Sequence, residues 1–146
     1  MSTSAVGSVV DAIRAALILR SGLAGVNVFS GPVGFEEAGQ ECIAFGNMRL
    51  IEETASMGGN RSESWAVDGE LRVVKTWQGG TEPTIESARD RALAVFAEVE
   101  THVNDTYTGA LPDVGVTAGE IVQDYNPDGR ICSMQFTLTV VAIKNP

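Results

Sequence analysis

The sequence has few of the residues that enzyme active sites and metal sites need. It contains one histidine, His102, and two cysteines ninety positions apart, which cannot form a structural zinc site unaided. A Ser-His-Asp triad would need a serine on a sharp turn, but no G-x-S-x-G segment occurs. No G-x-x-x-x-G-K-[ST] segment is present, so the glycine-rich segments are predicted to be loops and not phosphate-binding sites. We therefore expect no catalytic residues, no cofactor and no enzymatic activity.

Positive charge is also scarce. Ten Lys and Arg stand against nineteen Asp and Glu, which gives a formal net charge of −9, and the basic residues form no run. Binding of free nucleic acid needs clustered Lys and Arg for the phosphates, so this balance argues against it. An acidic surface repels the DNA backbone instead, and it would suit a wall past which DNA must slide.

Long apolar runs are missing as well. No segment approaches the ~20 apolar residues that span a membrane. The N-terminal segment has no basic region ahead of its apolar part, and Asp11 and Arg14 interrupt it, so no secretion signal is predicted. We expect a soluble protein that is made in the cytoplasm and has no membrane partner. With 146 residues, 44% of them apolar, the chain is predicted to form one domain, 1–146.

The clearest structural signal is the alternation of residues 62–77. Apolar side chains occupy mainly the odd positions, which is typical of a strand. A hairpin turning at Asp68-Gly69 would place Trp65 opposite Arg72, whereas one unbroken strand keeps the apolar set on one face. We therefore predict one strand with a kink or bulge at Gly69. Sixteen residues would span roughly 50 Å, so part of the strand should project and meet another chain.

The remaining elements follow from periodicity and from turn residues. The predicted fold class is α+β: a mainly antiparallel sheet of about five strands with two helices packed on one face, in the order α-β-β-β(long)-α-β-β. The other predicted segments are a helix capped by Ser4 and ending near Arg20, strands at 26–29 and 41–45, a flexible loop over about 46–61 with a short ordered piece at 47–51 as an alternative, a helix from Thr81 to about Asn104, and a hairpin of strands 116–125 and 130–144. The second helix is predicted to have an apolar stripe from Ile85 to Val103, and alternate residues of the last strand, from Cys132 to Ala142, are predicted to share one face.

One segment has a sequence pattern that fits both a calcium-binding loop and an ordinary turn. Asp124, Asn126 and Asp128 fit the first half of a calcium loop, D-x-[DN]-x-[DN]-G. The twelfth position is Gln135 instead of the bidentate Glu, and strands flank the segment. Asn, Pro, Asp and Gly are also the residues of an ordinary turn, which is the interpretation the sequence favours.

The cysteines and tryptophans leave alternatives open. Cys42 and Cys132 lie in apolar strand-like runs and are predicted to be small buried side chains, and a disulfide would require those two strands to be neighbours. Trp65 is predicted to lie in the core. Trp77, at the end of the long strand, fits either a core position or an interface anchor.

The predicted loop and the ends of the long strand are the candidate contact surface. A long loop in a protein that assembles commonly becomes ordered only against a neighbour. The candidate interface residues are Met48, Leu50, Ile51, Glu52, Glu53, Met57, Asn60, Arg61, Arg72 and Trp77.

Taken in order, these segments resemble the tail terminator (tail completion) proteins of long-tailed bacteriophages, in particular those that infect actinobacteria. Residues 23–32, LAGVNVFSGP, resemble the family's first strand and its Gly-Pro exit, and residues 42–46, CIAFG, its second strand. Residues 61–67, RSESWAV, resemble the start of its central strand. The most specific likeness is Glu82-Pro83 followed by Ser87 to Ala92, SARDRA, against D-P-x-x-A-R-D-R-A; Glu82 stands where Asp is common.

The resemblance implies a structural role. Such proteins form a hexameric ring that caps the tail tube, stops its polymerisation and provides the surface to which the filled head attaches. The implied partners are further copies of the chain, the major tail tube protein and a head-side neck or stopper protein, while genomic DNA passes through without specific binding. The implied location is the head-proximal end of the tail in the virion, and the host cytoplasm during assembly. The alternatives are another neck component, such as a head-completion or stopper protein, and a small ligand-binding or enzymatic α+β domain.

Overall fold

The computed structural model describes residues 4–31, 40–55, 61–76, 85–107, 109, 111–126 and 129–144. Two α-helices and five strands occur there in the predicted order, which confirms the α+β class. The elements are α1 (Val6–Ile18), a 3-10 turn (Ser21–Leu23), β1 (Asn27–Phe29), β2 (Glu41–Ala55), β3 (Arg61–Thr76), α2 (Ile85–Thr106), β4 (Asp113–Asn126) and β5 (Gly129–Lys144).

The strands form one sheet in the order β1-β2-β3-β5-β4, antiparallel except for the short β1, which runs parallel to β2. The two central strands, β3 and β5, pair without interruption along all sixteen residues, from Arg61 opposite Lys144 to Thr76 opposite Gly129. The long strand predicted from the alternation is therefore confirmed.

Both helices cover the same face of this sheet, and the buried apolar residues form one core between the two layers. The alternating residues of β5 predicted to share a face, Cys132 to Ala142, are all buried. The predicted stripe of α2 is buried from Ala88 to Val103. The opposite face of the sheet, which the two helices do not cover, is here called the open face. It carries Ser64 and Asp68 of β3 and the residues of the neighbouring strands that pair in register with them.

The prediction of a loop over 46–61 is wrong for residues 46–55, which continue β2 as far as Ala55. The physical reason is the length of β3, whose first half would otherwise lack a partner on one side for its backbone groups. Two register shifts, between Phe45 and Met48 and between Leu50 and Glu52, each add one residue to β2. The sequence signals that indicated a loop, Gly46 among them, thus lie in an irregular strand. Residues 56–60 lie outside the described part.

The bulge predicted at Gly69 belongs to the neighbouring strand. Gly69 itself pairs in register with both Phe45 and Phe136, and the extra residue lies in β2 just beyond Phe45. The glycine is needed for a different reason, since a side chain there would overlap the ring of Phe136. Smaller differences concern α1, which ends at Ile18, and β4, which starts at Asp113.

Candidate assembly interface

The sheet leaves two long strand edges without a partner in the described part of the chain. On one side β1 pairs only with Cys42 to Ala44, so no described strand lies along residues 46–55 of β2, a segment we call the β2 edge. On the other side β4, Asp113–Asn126, is the outermost strand, and we call its outer side the β4 edge. Unpaired edges of this length are templates for pairing with another chain.

The β2 edge carries an exposed apolar pair at its second bulge. Leu50 and Ile51 are 47% and 59% exposed, and Ile51 is the residue that has no partner on β3. Around this pair the charged side chains have partners: Arg49 lies 3.4 Å from Asp68, and Arg61 lies 3.1 Å from Glu53. These ion pairs are mostly exposed, so they orient side chains more than they stabilise the fold.

The β4 edge has the same combination of a bulge and an apolar pair. Its register against β5 shifts between Ala118 and Ile121, and Ile121 and Val122 are 38% and 46% exposed. The strand carries three acids, Asp113, Glu120 and Asp124, and no Lys or Arg. The charged residues of this edge are therefore all acidic, whereas edges that stay solitary are most often protected by lysine.

Most predicted interface residues that the structure describes lie together at one end of β2 and β3. Leu50, Ile51 and Glu52 are exposed, whereas Met48 packs against the core and belongs to the fold. Arg72 lies apart from them, opposite Cys42, with its side chain 17% exposed and 3.4 Å from Glu70. The structure does not describe Met57, Asn60 and Trp77, so their predicted contacts stay predictions.

Ser87 to Ala92 of α2, the segment with the most specific likeness, packs against the rest of the fold through three of its residues. Ala88 and Ala92 face the sheet and are buried. Arg91 donates two hydrogen bonds to the carboxylate of Glu41, at 2.7 and 3.0 Å, and one to the carbonyl oxygen of Gly22 at 3.4 Å. This bidentate pair raises the pKa of Arg91 and joins α2 to the beginning of β2. Nothing in the sequence around Arg91 or Glu41 indicates that these two residues contact each other.

A buried carboxylate, which the sequence analysis did not predict, fixes the N-terminal end of the chain. Glu63 is 2% exposed, and its Oε2 atom accepts hydrogen bonds from Ser4 Oγ at 2.6 Å and from Trp65 Nε1 at 3.0 Å. Ser4 Oγ also accepts the Val6 backbone N–H at 3.3 Å, so Ser4 keeps part of its predicted capping role. Trp65 packs against the core, as predicted. In the sequence the alternation places Glu63 on the apolar face of β3, which is the signal that could have identified it.

The open face of the sheet has a concave region of about 460 Å³, lined by Cys42, Asp68, Glu70, Arg72 and Gln135 among others. Burial raises the pKa of the Cys42 thiol, which is therefore not activated as a nucleophile. Cys42 and Cys132 are both free, and they lie on opposite faces of the sheet, so the disulfide alternative is wrong.

The predicted calcium turn is only partly described. Asp124 is exposed at the end of β4, whereas Asp128 and the side chain of Asn126 are not described. Within the described residues no three His, Cys, Asp or Glu side chains are grouped as metal ligands would be. Neither of the two described helices is both long and apolar enough to cross a membrane.

No family model matches the chain, and a search of curated proteins finds no match. Among solved structures, the chain is similar to one from "Virion of native gene transfer agent (GTA) particle". The likeness covers 94% of this chain and 95% of that one, with 14% sequence identity and a TM-score of 0.47.

Proposed function

We propose that the chain is a structural virion protein of the tail terminator type, which forms a hexameric ring on the tail tube, ends its polymerisation and joins the tail to the head. The observation that carries the proposal is the pair of long unpaired edges on opposite sides of one sheet, each with exposed apolar residues. A subunit of a ring needs two such surfaces.

The segments that resemble the tail terminator family support the proposal by their places in the fold. LAGVNVFSGP leads into and through β1, CIAFG lies in the first half of β2, and RSESWAV begins β3. SARDRA forms the first turns of α2, where Arg91 holds Glu41. The resemblance is therefore spread over the elements that build the sheet and its helical cover.

The charge of the chain fits a channel for DNA. Six copies would carry 6 × −9 = −54 formal charges. We infer that part of this charge lines the lumen, where it would repel the phosphates and let DNA pass without binding. The proposal includes no reaction, since the functions it assigns are binding of the tube, binding of the head-side protein and closure of the ring.

The first test is the solution mass by light scattering over a range of concentrations, with negative-stain electron microscopy of the same sample. The proposal predicts a particle near 6 × 15.4 = 92.4 kDa with six-fold symmetry. The second test adds the purified protein to a tail tube protein of a long-tailed bacteriophage while that protein polymerises, and measures tube length. Shorter tubes with the protein at one end are expected. Unchanged tube lengths, with binding to heads instead, would favour the alternative of a head-completion or stopper protein.

A further inference from the structure

We propose that copies of this chain join head to tail by adding strands, with the β2 edge of one copy pairing with the β4 edge of the next. The inference rests on the proposed ring and specifies its subunit contact. A ring requires a heterologous interface, in which two different surfaces of the chain fit each other, and these two edges are the candidates that the described sheet provides.

The backbone provides the first argument. An edge strand in an antiparallel sheet directs the N–H and C=O groups of about every second residue away from its partner. The β2 edge, residues 46–55, and the fourteen-residue β4 therefore each present a row of unused donors and acceptors. Pairing between them would satisfy both rows through one type of contact, whereas self-pairing of either edge leaves the other row open.

Strand direction gives the second argument. Since β2, β3, β5 and β4 are antiparallel to their neighbours in that order, β2 and β5 run one way while β3 and β4 run the other. If the next copy continues the sheet in the same orientation, its β2 meets β4 in antiparallel fashion. The contact between subunits would thus repeat the ladder type that holds the long strands within each subunit.

The exposed side chains give the third argument. Placing Leu50 opposite Ile121, both of which lie on the helix-covered face of their sheets, sets residues 46–55 against residues 116–125, so the whole β2 edge finds a partner within β4. That arrangement covers both exposed apolar pairs. Self-pairing of β4 would instead bring together two strands with three acids each and no basic residue, whereas the β2 edge carries one cation, Arg49, beside Glu52 and Glu53.

The test uses two double variants of the full chain. Leu50→Lys with Ile51→Lys blocks the β2 edge, and Ile121→Lys with Val122→Lys blocks the β4 edge, because charges and lysines on an edge prevent strand addition. The matched control is Ile18→Lys with Leu93→Lys, two helix residues that are 48% and 42% exposed. Mass is measured by sedimentation and light scattering, and circular dichroism confirms that each variant is folded.

Head-to-tail pairing predicts particle masses, for the single variants and for their mixture, that other types of contact would not give. Each edge variant alone should be a 15.4 kDa monomer, with self-association at least about tenfold weaker than in the native chain. An equimolar mixture of the two should form a two-chain particle of 2 × 15.4 = 30.8 kDa and grow no further, because one native β2 edge and one native β4 edge remain. The control should assemble like the native chain.

Several outcomes would overturn the inference. If one edge variant still dimerises alone, the intact edge pairs with itself. If the mixture stays monomeric, or if both variants assemble like the native chain, the edges are not the contact. A native chain that is monomeric at every concentration would also reject it. Ring formation that survives both blocked edges would reject the edge contact and leave the proposed function standing, whereas a native particle of two chains would reject the ring.

A second pair of variants addresses the backbone directly. Ile51→Pro and Glu120→Pro each place a proline in a bulge of an edge strand, the position in a sheet where proline is best tolerated. Each should reproduce the monomer and the two-chain mixture without adding charge. Loss of assembly in the lysine variants but not in the proline variants would indicate a contact between side chains and would reject strand addition.

Discussion

The packing at the middle of the sheet can be tested directly at the contact between Gly69 and Phe136. The two residues are directly opposite each other in β3 and β5. The Phe136 ring is held edge-on to Phe45 at a centroid distance of 6.2 Å and tilted against Phe96 at 5.8 Å. A Cβ atom on Gly69 would overlap the Cε2 and Cζ atoms of Phe136. The ring therefore occupies the space that a side chain at residue 69 would need.

We predict that Gly69→Ala destabilises the protein by about 1–2 kcal/mol. Overpacking of a core costs ~1–3 kcal/mol, and this site should lie well within that range because Phe45 and Phe96 restrict the movement of the ring. Part of the loss is offset, since glycine in a strand costs roughly 0.5–1 kcal/mol relative to alanine. For a chain of this size the melting temperature should fall by about 2–8 °C. Urea unfolding followed by circular dichroism measures the change.

A double-mutant cycle identifies the cause. In a Phe136→Leu background the overlapping ring atoms are gone, so Gly69→Ala should be neutral or should stabilise by up to about 1 kcal/mol. The control is Gly115→Ala in β4, where nothing lies within 4 Å of the added Cβ. Equal losses for Gly69→Ala in both backgrounds, within about 0.5 kcal/mol, would refute the steric explanation.

Three further predictions concern single contacts. Removal of the ion pair by Arg91→Ala should cost about 2 kcal/mol in the free energy of unfolding, and a cycle with Glu41→Gln should show that most of this loss depends on the partner. Burial and a nearby arginine lower the pKa of His102 below its ordinary 6.5, so the unfolded chain binds the proton more readily; stability should be complete above about pH 6.5, should fall as pH drops through the folded pKa, and should lose this dependence in His102→Asn. Burial raises the pKa values of Cys42 and Cys132, so both thiols should resist a thiol reagent at pH 8 until denaturant is added, and fast reaction in the folded protein would contradict this.

The central strands could be predicted from sequence because their pairing is regular. The pairing of β3 with β5 has no register shift, so the positions that face the helices keep a period of two, and most of them are apolar. The same holds for α2, whose stripe keeps its helical spacing from Ala88 to Val103. In these elements a local pattern and the tertiary packing agree, and the pattern is therefore sufficient.

The second half of β2 could not be predicted in this way. Ile43 and Phe45 face the core, but after the first bulge the residues paired with core-facing positions of β3 are Met48 and Leu50. After the second bulge that position is occupied by Glu53, which is opposite Glu63. Each extra residue moves the pattern to the other face, so no single period describes the strand.

Long-range polar contacts could not be predicted from the sequence, for a different reason. Arg91 and Glu41 are 50 positions apart, and Ser4 and Glu63 are 59 apart. The sequence contains many acidic and basic residues, and nothing in their local spacing indicates which of them form ion pairs. Only the order of strands in the sheet and the position of the helices over it bring these partners together.

The location of the bulges bears on how the edges act. All three register shifts lie in β2 and β4, and the described central pair has none. Bulges are one device by which edge strands avoid aggregation, so they could indicate a chain that stays solitary. Protected edges normally carry charge or proline at the bulge, and the β4 bulge does contain Glu120. Large exposed apolar side chains nevertheless lie in or directly after both bulges, Ile51 in one edge and Ile121 in the other. A bulge also increases the local twist of a strand, which a sheet continued from one subunit into the next needs in order to curve. The combination of bulge and apolar pair on both edges therefore favours adhesion between copies over protection.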